Sequence, residues 1–228
     1  VVAWLVILPL ALSASSFLDA GLARSLPPIR AGVLLIANPQ MEDPNFRETV
    51  VLICRHGSDG TLGFVLNRKT DRRLADVLPD QTDLKETSAP LFAGGPVQPT
   101  GVLFLFRVQQ PPADSQEVIA GVYWGGNLTE VRRIVTEGKP TETFHAFAGH
   151  AGWAPGQLQS ELAVGAWAAV PADAALVFEQ DPTDLWRLLL DRHRSPQYID
   201  FPEFPHPAPG EDVSLAVSAG SARTPRAS

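Results

Sequence analysis

Two residues near position 55 have the types and spacing of a nucleophile and its base. Cys54 and His56 lie two positions apart, so they share a face if both belong to one strand, and a histidine beside a thiol can generate a thiolate. Such a pair would suit a thiol-dependent hydrolase. Cys54 also ends the apolar run of residues 50–53, where a buried cysteine packs as a small apolar side chain. The pair is therefore an alternative site, and we predict no catalytic residue.

A second candidate site surrounds a tryptophan in the segment 147–162. Gly152 and Gly156 flank Trp153 just before a predicted helix, and glycine lets a backbone pass close to another group. Gln157 and Glu161 are four positions apart and share one face of that helix. An indole beside a polar pair can form the floor of a ligand-binding groove. In the alternative interpretation Trp153 fills the core and the glycines permit a tight loop.

The sequence predicts neither a metal site nor a cofactor. His145 and His150 are five positions apart, which fits neither the spacing of a helical metal pair nor that of one strand face. Nucleotide-binding glycine loops, zinc-protease motifs and serine-hydrolase motifs do not occur in the sequence. Cys54 is the single cysteine, so an intramolecular disulfide is excluded.

The charge balance disfavours direct nucleic-acid binding. The 228 residues include 25 acidic and 18 basic side chains, for a net charge of −7, whereas neutralising phosphates requires a basic surface. We therefore expect the partner to be another protein or a small ligand, of unknown identity.

The two ends of the chain differ in composition from its middle. Residues 1–14 are apolar and uncharged, which is typical of a signal peptide or signal anchor, so we expect residues 1–24 to direct export to the periplasm or to a membrane tether. A buried helix in a cytoplasmic protein is the alternative. Residues 201–228 are rich in proline and small polar residues and are predicted to be disordered. The globular domain is then residues 27–195, and any membrane contact is made through an uncleaved N-terminal segment.

Short apolar runs predict the strands that must position these sites. The runs cover residues 32–36, 50–54, 63–66, 102–106 and 118–124. Because they do not alternate with polar residues, we expect the sheet to be covered on both faces. Asp59-Gly60 predicts a hairpin that pairs residues 49–54 with 61–67.

Helix start signals occur at three places. Asn127 with Glu130 resembles an N-terminal cap, and Gly138 suits the end of that helix. Asp181-Pro182 predicts a helix that extends through the basic residues 192–194. Pro155 predicts a helix that continues to about Trp167.

Four segments together resemble the AlgH/YqgE family of bacterial proteins. They are residues 38–51 (NPQMEDPNF followed by TVV), 56–67 (ending GFVLN), 94–97 (GGPV) and 149–162 (GHAGWAPGQL, then EL). Their order and spacing match the family over about residues 31–190. The resemblance implies a single α+β domain in which helices surround a branched, partly barrel-like mixed sheet. Members of the family carry the label of transcriptional regulator, and the resemblance extends that label to this sequence. It implies no established reaction.

The positions that match the family motifs define our candidate groove. They are Asp43, Asn67, Gly94, Gly95, Gly152, Trp153, Gly156, Gln157 and Glu161. His150 and Gln159 depart from the pattern, which usually has Tyr and Glu there. We predict a non-catalytic binding or interaction protein, for which an indirect regulatory role is one option. A regulator acting on DNA and a thiol-dependent hydrolase are the alternatives.

Overall fold

A computed structural model of the chain describes residues 28–194. The predicted signal segment 1–24 and the predicted disordered tail 201–228 lie outside the described residues. Within them, no helix combines the length and the apolar composition needed to cross a bilayer.

Ten strands and five α-helices make up the described part of the chain. The strands are β1 (Val33–Ala37), β2 (Val50–Gly57), β3 (Gly60–Val65), β4 (Lys69–Arg73), β5 (Pro90–Ala93), β6 (Val97–Arg107), β7 (Gln116–Ile119), β8 (Val122–Gly125), β9 (Thr143–Trp153) and β10 (Trp167–Pro171). The helices are α1 (Leu74–Val77), α2 (Leu128–Glu137), α3 (Gln157–Ala163), α4 (Ala174–Phe178) and α5 (Pro182–Arg194).

One branched sheet contains all ten strands. Eight of them follow the order β10-β1-β2-β3-β9-β6-β8-β7, and β4 and β5 form a branch. β9 is the branch point. It pairs with β6 along most of its length, with β3 at residues 151–153, and with β5 in parallel at residues 146–148, while β4 pairs with β5. All the other pairings are antiparallel, and the path of strands does not close into a complete barrel. The predicted α+β fold with a branched mixed sheet is confirmed.

The central strands are buried on both faces, as their unbroken apolar runs predict. In β1, Leu34 and Ile36 pack in one core with Leu185 of α5, whereas Leu35 packs on the other face with Leu158 of α3. Successive side chains of a strand point to opposite faces, so a strand that is apolar at every position needs a cover on both. The helices provide these covers.

The predicted hairpin is confirmed, with one irregularity. β2 and β3 pair antiparallel from Val51 opposite Val65 to Gly57 opposite Gly60. The register shifts between Ile53 and Arg55, so Cys54 is the extra residue of a β-bulge.

Two predicted boundaries are wrong. The run 118–124 is not one strand, because Gly121 adopts a left-handed conformation (φ 73°) and turns the chain from β7 into β8. The helix predicted from Pro155 to Trp167 ends at Ala163 because Gly165 is left-handed (φ 73°), and Trp167 begins β10.

The other two predicted helices are confirmed. The Asn127 side chain accepts a hydrogen bond from the backbone N–H of Glu130 (3.0 Å) at the start of α2, and Gly138 ends that helix at φ 60°. α5 begins at Pro182 and runs to Arg194.

Candidate functional site

Trp153, Gln157 and Glu161 lie together, and Glu161 accepts hydrogen bonds from the other two side chains. Trp153 ends β9, and its indole N–H donates to Glu161 Oε2 (2.9 Å). The Gln157 amide donates to Glu161 Oε1 (2.9 Å) and accepts from the Ala154 backbone N–H (3.0 Å). The indole N–H of Trp167 also donates to Glu161 Oε2 (2.8 Å). The carboxylate therefore joins α3 to the ends of two strands.

The ring of Trp153 lies in the interior. Its residue is only 5% exposed, and the ring stacks on Phe46 and meets Trp167 edge-on, both with centroids 6.0 Å apart. The indole is closed to a ligand, and the side chains of Gln157 and Glu161, both half-buried, hydrogen-bond to each other. The expected open groove is thus replaced by a packed aromatic cluster whose buried N–H groups are satisfied internally.

The four candidate glycines have roles in the backbone and do not form a ligand-binding surface around Trp153. A Cβ on Gly94 would collide with the carbonyl oxygen of Gly149, and one on Gly95 (φ 147°) would collide with the backbone of His150, so both permit the chain to cross close to β9. Gly156 takes a left-handed conformation (φ 78°) at the start of α3, and Gly152 lies exposed on β9. The glycines before Trp153 therefore belong to a strand rather than to a loop.

The remaining candidates, Asp43 and Asn67, shape a loop. Asp43 Oδ1 accepts from the backbone N–H (2.8 Å) and the amide (3.0 Å) of Asn45. Asn67 Oδ1 accepts from the Val50 N–H (2.9 Å), and its Nδ2 donates to the Glu48 carbonyl (2.8 Å). Asn67 also lines an open cleft.

This cleft has a volume of about 440 Å³ and lies between the loop before β2, the end of β3 and the first turns of α5. We call it the arginine cleft. Its lining residues are Arg47, Glu48, Asn67, Arg68, Thr183, Trp186 and Arg187. Three arginines and one glutamate therefore line a space of the size that small ligands occupy.

The three arginines differ in how they are held. Arg68 is half-buried, and its Nη2 donates to the carbonyl oxygens of Pro44 (2.9 Å) and Arg47 (3.2 Å), which ties it to the loop. Arg47 and Arg187 are exposed, and neither side chain makes a hydrogen bond or ion pair with any residue from 28 to 194. Most of the cleft's donor capacity is therefore unused.

The rest of the lining is fixed in place. Glu48 has a left-handed backbone (φ 56°), which is strained for a residue with a side chain, and the bond from Asn67 holds its carbonyl. The indole N–H of Trp186 donates to the Ala37 carbonyl (2.9 Å), which sets the orientation of the ring. The Thr183 hydroxyl donates to Asp181 (2.7 Å).

A carboxylate and an ammonium group lie near each other beside the cleft. Hydrogen bonds from the Thr183 hydroxyl and backbone N–H lower the pKa of Asp181, and the ammonium group of Lys69 lowers it further. Lys69 directly follows Arg68 at the start of β4.

The Cys54 thiol and the His56 imidazole hydrogen-bond to different partners. Cys54 is 2% exposed, its thiol donates to the Leu52 carbonyl (3.6 Å), and burial raises its pKa. His56 instead places Nδ1 2.7 Å from the Thr61 hydroxyl oxygen. A reactive cysteine needs a stabilised thiolate and access, and burial opposes both.

The histidines of β9 also lie apart from each other. His145 packs between Phe92 and Phe178, and burial with the nearby Arg107 charge lowers its pKa to about 4. Burial and the charge of Arg55 lower the pKa of His150. Across the described residues, no three His, Cys, Asp or Glu side chains converge on a point where a metal ion could bind.

Sequence comparison places the chain among known relatives. Residues 34–196 match the model of a family described as AlgH-like. A UPF0301 protein of Chlorobium chlorochromatii is 37% identical over 160 residues, which cover 69% of this chain and 83% of that protein. A UPF0301 protein of Streptomyces coelicolor is 37% identical over 169 residues, covering 72% and 86%.

Two solved structures share the fold. The solution structure of the AlgH protein from Pseudomonas aeruginosa superimposes with a TM-score of 0.59 at 30% identity, and the match covers 76% of this chain and 92% of that one. The crystal structure of a Corynebacterium diphtheriae protein gives a TM-score of 0.64 at 28% identity, covering 78% and 96%.

Proposed function

The chain belongs to the AlgH-like family, and from the geometry described above we propose that it is a non-catalytic binding protein that captures its ligand or partner in the arginine cleft. The observation that carries the proposal is that two exposed arginines, Arg47 and Arg187, line one open space and have no side-chain partner among the described residues. Guanidinium groups bind and orient anions.

The chemistry of the lining supports binding rather than turnover. Arginine stays protonated throughout the physiological pH range, so it does not act as a general base. The Thr183 hydroxyl donates to Asp181, a carboxylate whose lowered pKa makes it a weak base, and the Asn67 amide is held by backbone groups. A nucleophile activated by a base needs the two side chains within hydrogen-bond reach. The lining residues do not supply that pair.

The two alternatives rest on weaker support. Regulation through DNA conflicts with the net charge of −7, and a hydrolase based on Cys54 conflicts with the buried thiol. Export, with residues 1–24 as signal or tether, stays part of the proposal, and the cytoplasm is the alternative compartment.

A thermal-shift screen tests the proposed function. The full chain is compared with the double variant Arg47→Ala/Arg187→Ala against a set of metabolite-sized compounds that includes neutral, cationic and anionic members. We expect at least one compound to raise the Tm of the parent protein and to lose this effect in the double variant. The matched control is Arg72→Ala/Lys85→Ala, which removes two exposed cations outside the cleft lining.

Two results would overturn the proposal. Compounds that stabilise the parent protein and the double variant equally would bind elsewhere. Conversion of a cleft-dependent compound into product, followed by mass spectrometry, would make the protein an enzyme.

A further inference from the structure

We infer that the arginine cleft recognises a phosphomonoester dianion attached to a small organic group. The inference rests on the proposed function, because it names the ligand class of the same cleft. Charge, donor groups and shape each contribute to it.

The charge of the lining matches a dianion. The lining contains three arginines (Arg47, Arg68 and Arg187) and one acidic residue, Glu48, so it carries two net positive charges. The Asp181 carboxylate beside Thr183 is offset by the nearby ammonium group of Lys69. A phosphomonoester carries a charge of about −1.5 to −2 at pH 7, whereas a carboxylate, a sulfate ester or a phosphodiester carries about −1. Of these groups, the doubly charged phosphomonoester has the strongest electrostatic attraction to the lining.

The free hydrogen-bonding groups of the cleft are mainly donors. Arg68 uses only Nη2 for the loop, so its Nε and Nη1 groups remain to donate, and Arg47 and Arg187 keep all their donors. The Thr183 hydroxyl already donates to Asp181, and the Asn67 amide donates to Glu48. A phosphate group offers several acceptor oxygens, and the planar guanidinium binds two of them at once.

The cleft has room for more than the phosphate. A volume of about 440 Å³ falls within the range for small-molecule sites and exceeds what a single phosphate ion fills. The half-buried ring of Trp186, oriented by its bond to Ala37, supplies an apolar wall for the organic group.

The loop that carries two lining residues is also held in a strained state. Glu48 keeps a left-handed backbone because the Asn67 side chain donates to the Glu48 carbonyl and accepts from the Val50 N–H. Such outliers persist where the surrounding structure enforces them and are found at binding sites. Glu48 directly follows Arg47, so its fixed conformation sets where the backbone of Arg47 lies beside the cleft.

Phenyl phosphate and phenyl sulfate provide a matched pair of probes for titration calorimetry on the full chain. They have similar shapes, but the sulfate carries one charge. We expect phenyl phosphate to bind at least about tenfold more tightly than phenyl sulfate at pH 7.5. The preference should shrink as the pH falls through about 6, where the phosphate takes up its second proton. Binding should also weaken as salt rises.

Arginine variants locate the binding. Arg47→Gln and Arg187→Gln should each weaken phenyl phosphate binding by about fivefold or more, and Arg72→Gln should leave it unchanged. Both cleft residues are exposed and unpaired within the described structure, so we expect each variant to keep the Tm of the parent protein. Equal affinity for the two probes, no binding at millimolar phosphate ester, or binding unaffected by both cleft variants would overturn the inference.

Two further arms identify the source of the phosphate. Cosedimentation with phosphatidic acid vesicles that depends on Arg47 and Arg187, and does not occur with phosphatidylcholine, supports the inference with a lipid as the source. Cleft-dependent binding of duplex DNA that exceeds binding of phenyl phosphate overturns it, because DNA offers phosphodiesters. A third result separates the inference from the proposed function. If a neutral compound binds in the arginine cleft and phenyl phosphate does not bind, the inference is overturned and the proposed function stands.

Discussion

Glu161 is the residue on which the aromatic cluster depends most, and Glu161→Ala should destabilise the domain strongly. Its carboxylate accepts from the indoles of Trp153 and Trp167 and from the amide of Gln157. The two tryptophans are 5% and 3% exposed. Removing the carboxylate leaves two buried N–H donors without their acceptor.

The expected loss follows from those two donors. A buried donor that loses its partner costs about 1 to 3 kcal/mol, and bonds to charged groups lie in the upper part of that range. Glu161 is half-buried, so water can reach part of the gap in the variant and lower the cost. We therefore expect the free energy of unfolding to fall by about 3 kcal/mol, which corresponds to a Tm lower by about 6 to 12 °C in a domain of this size.

Urea denaturation followed by tryptophan fluorescence and far-UV circular dichroism measures this loss. Glu161→Gln keeps one acceptor oxygen and should lose about half as much. Gln159→Ala, an exposed change on the same helix, is the control and should stay within about 0.5 kcal/mol of the parent protein. If Glu161→Ala matched the control, the carboxylate would not hold the cluster together and our account of why the groove is closed would fail.

Two further predictions concern β9. Burial lowers the pKa of His145 from 6.5 to about 4. Between these pH values the unfolded chain therefore binds more protons than the folded one. The free energy of unfolding should fall by up to about 3 kcal/mol as the pH falls from 6.5 to 4. The difference between the parent protein and His145→Phe in urea titrations across this range isolates the effect, and equal pH profiles would refute it. Gly95→Ala should abolish cooperative unfolding, because the added Cβ collides with the backbone of His150. In the control variant Gly138→Ala the added Cβ meets no atom within 4 Å, so the free energy of unfolding should fall by only about 1 to 2 kcal/mol. Similar melting curves for the two variants would contradict this prediction.

The strands with continuous apolar runs were predictable from the sequence. β1 and β3 are buried at every position and β2 at its first five, so composition alone marks them. β4 is the opposite case: its residues are polar and mostly exposed, and only its pairing with β5 makes it a strand. β9 was missed since small residues and histidines interrupt its apolar pattern. These small residues allow three strands to approach it.

The candidate site was predictable only in its local part. The spacing of four correctly puts Gln157 and Glu161 on one helix face, where their side chains bond to each other. That the carboxylate also meets Trp167 depends on where Gly165 ends the helix and β10 begins. The arginine cleft joins Arg47 to Arg187 across much of the chain, and no spacing rule connects such distant residues.

The junction at β9 has a consequence for biosynthesis. Its first residue, Thr143, is translated about 80 residues after β3 ends at Val65, which amounts to about 4 to 16 s on a ribosome. Until then the edge of β3 that β9 will cover stays open, and β5 and β6 lack their common neighbour. The nascent chain must therefore carry unpaired apolar strands for seconds, a period in which chaperones or rapid release decide its yield.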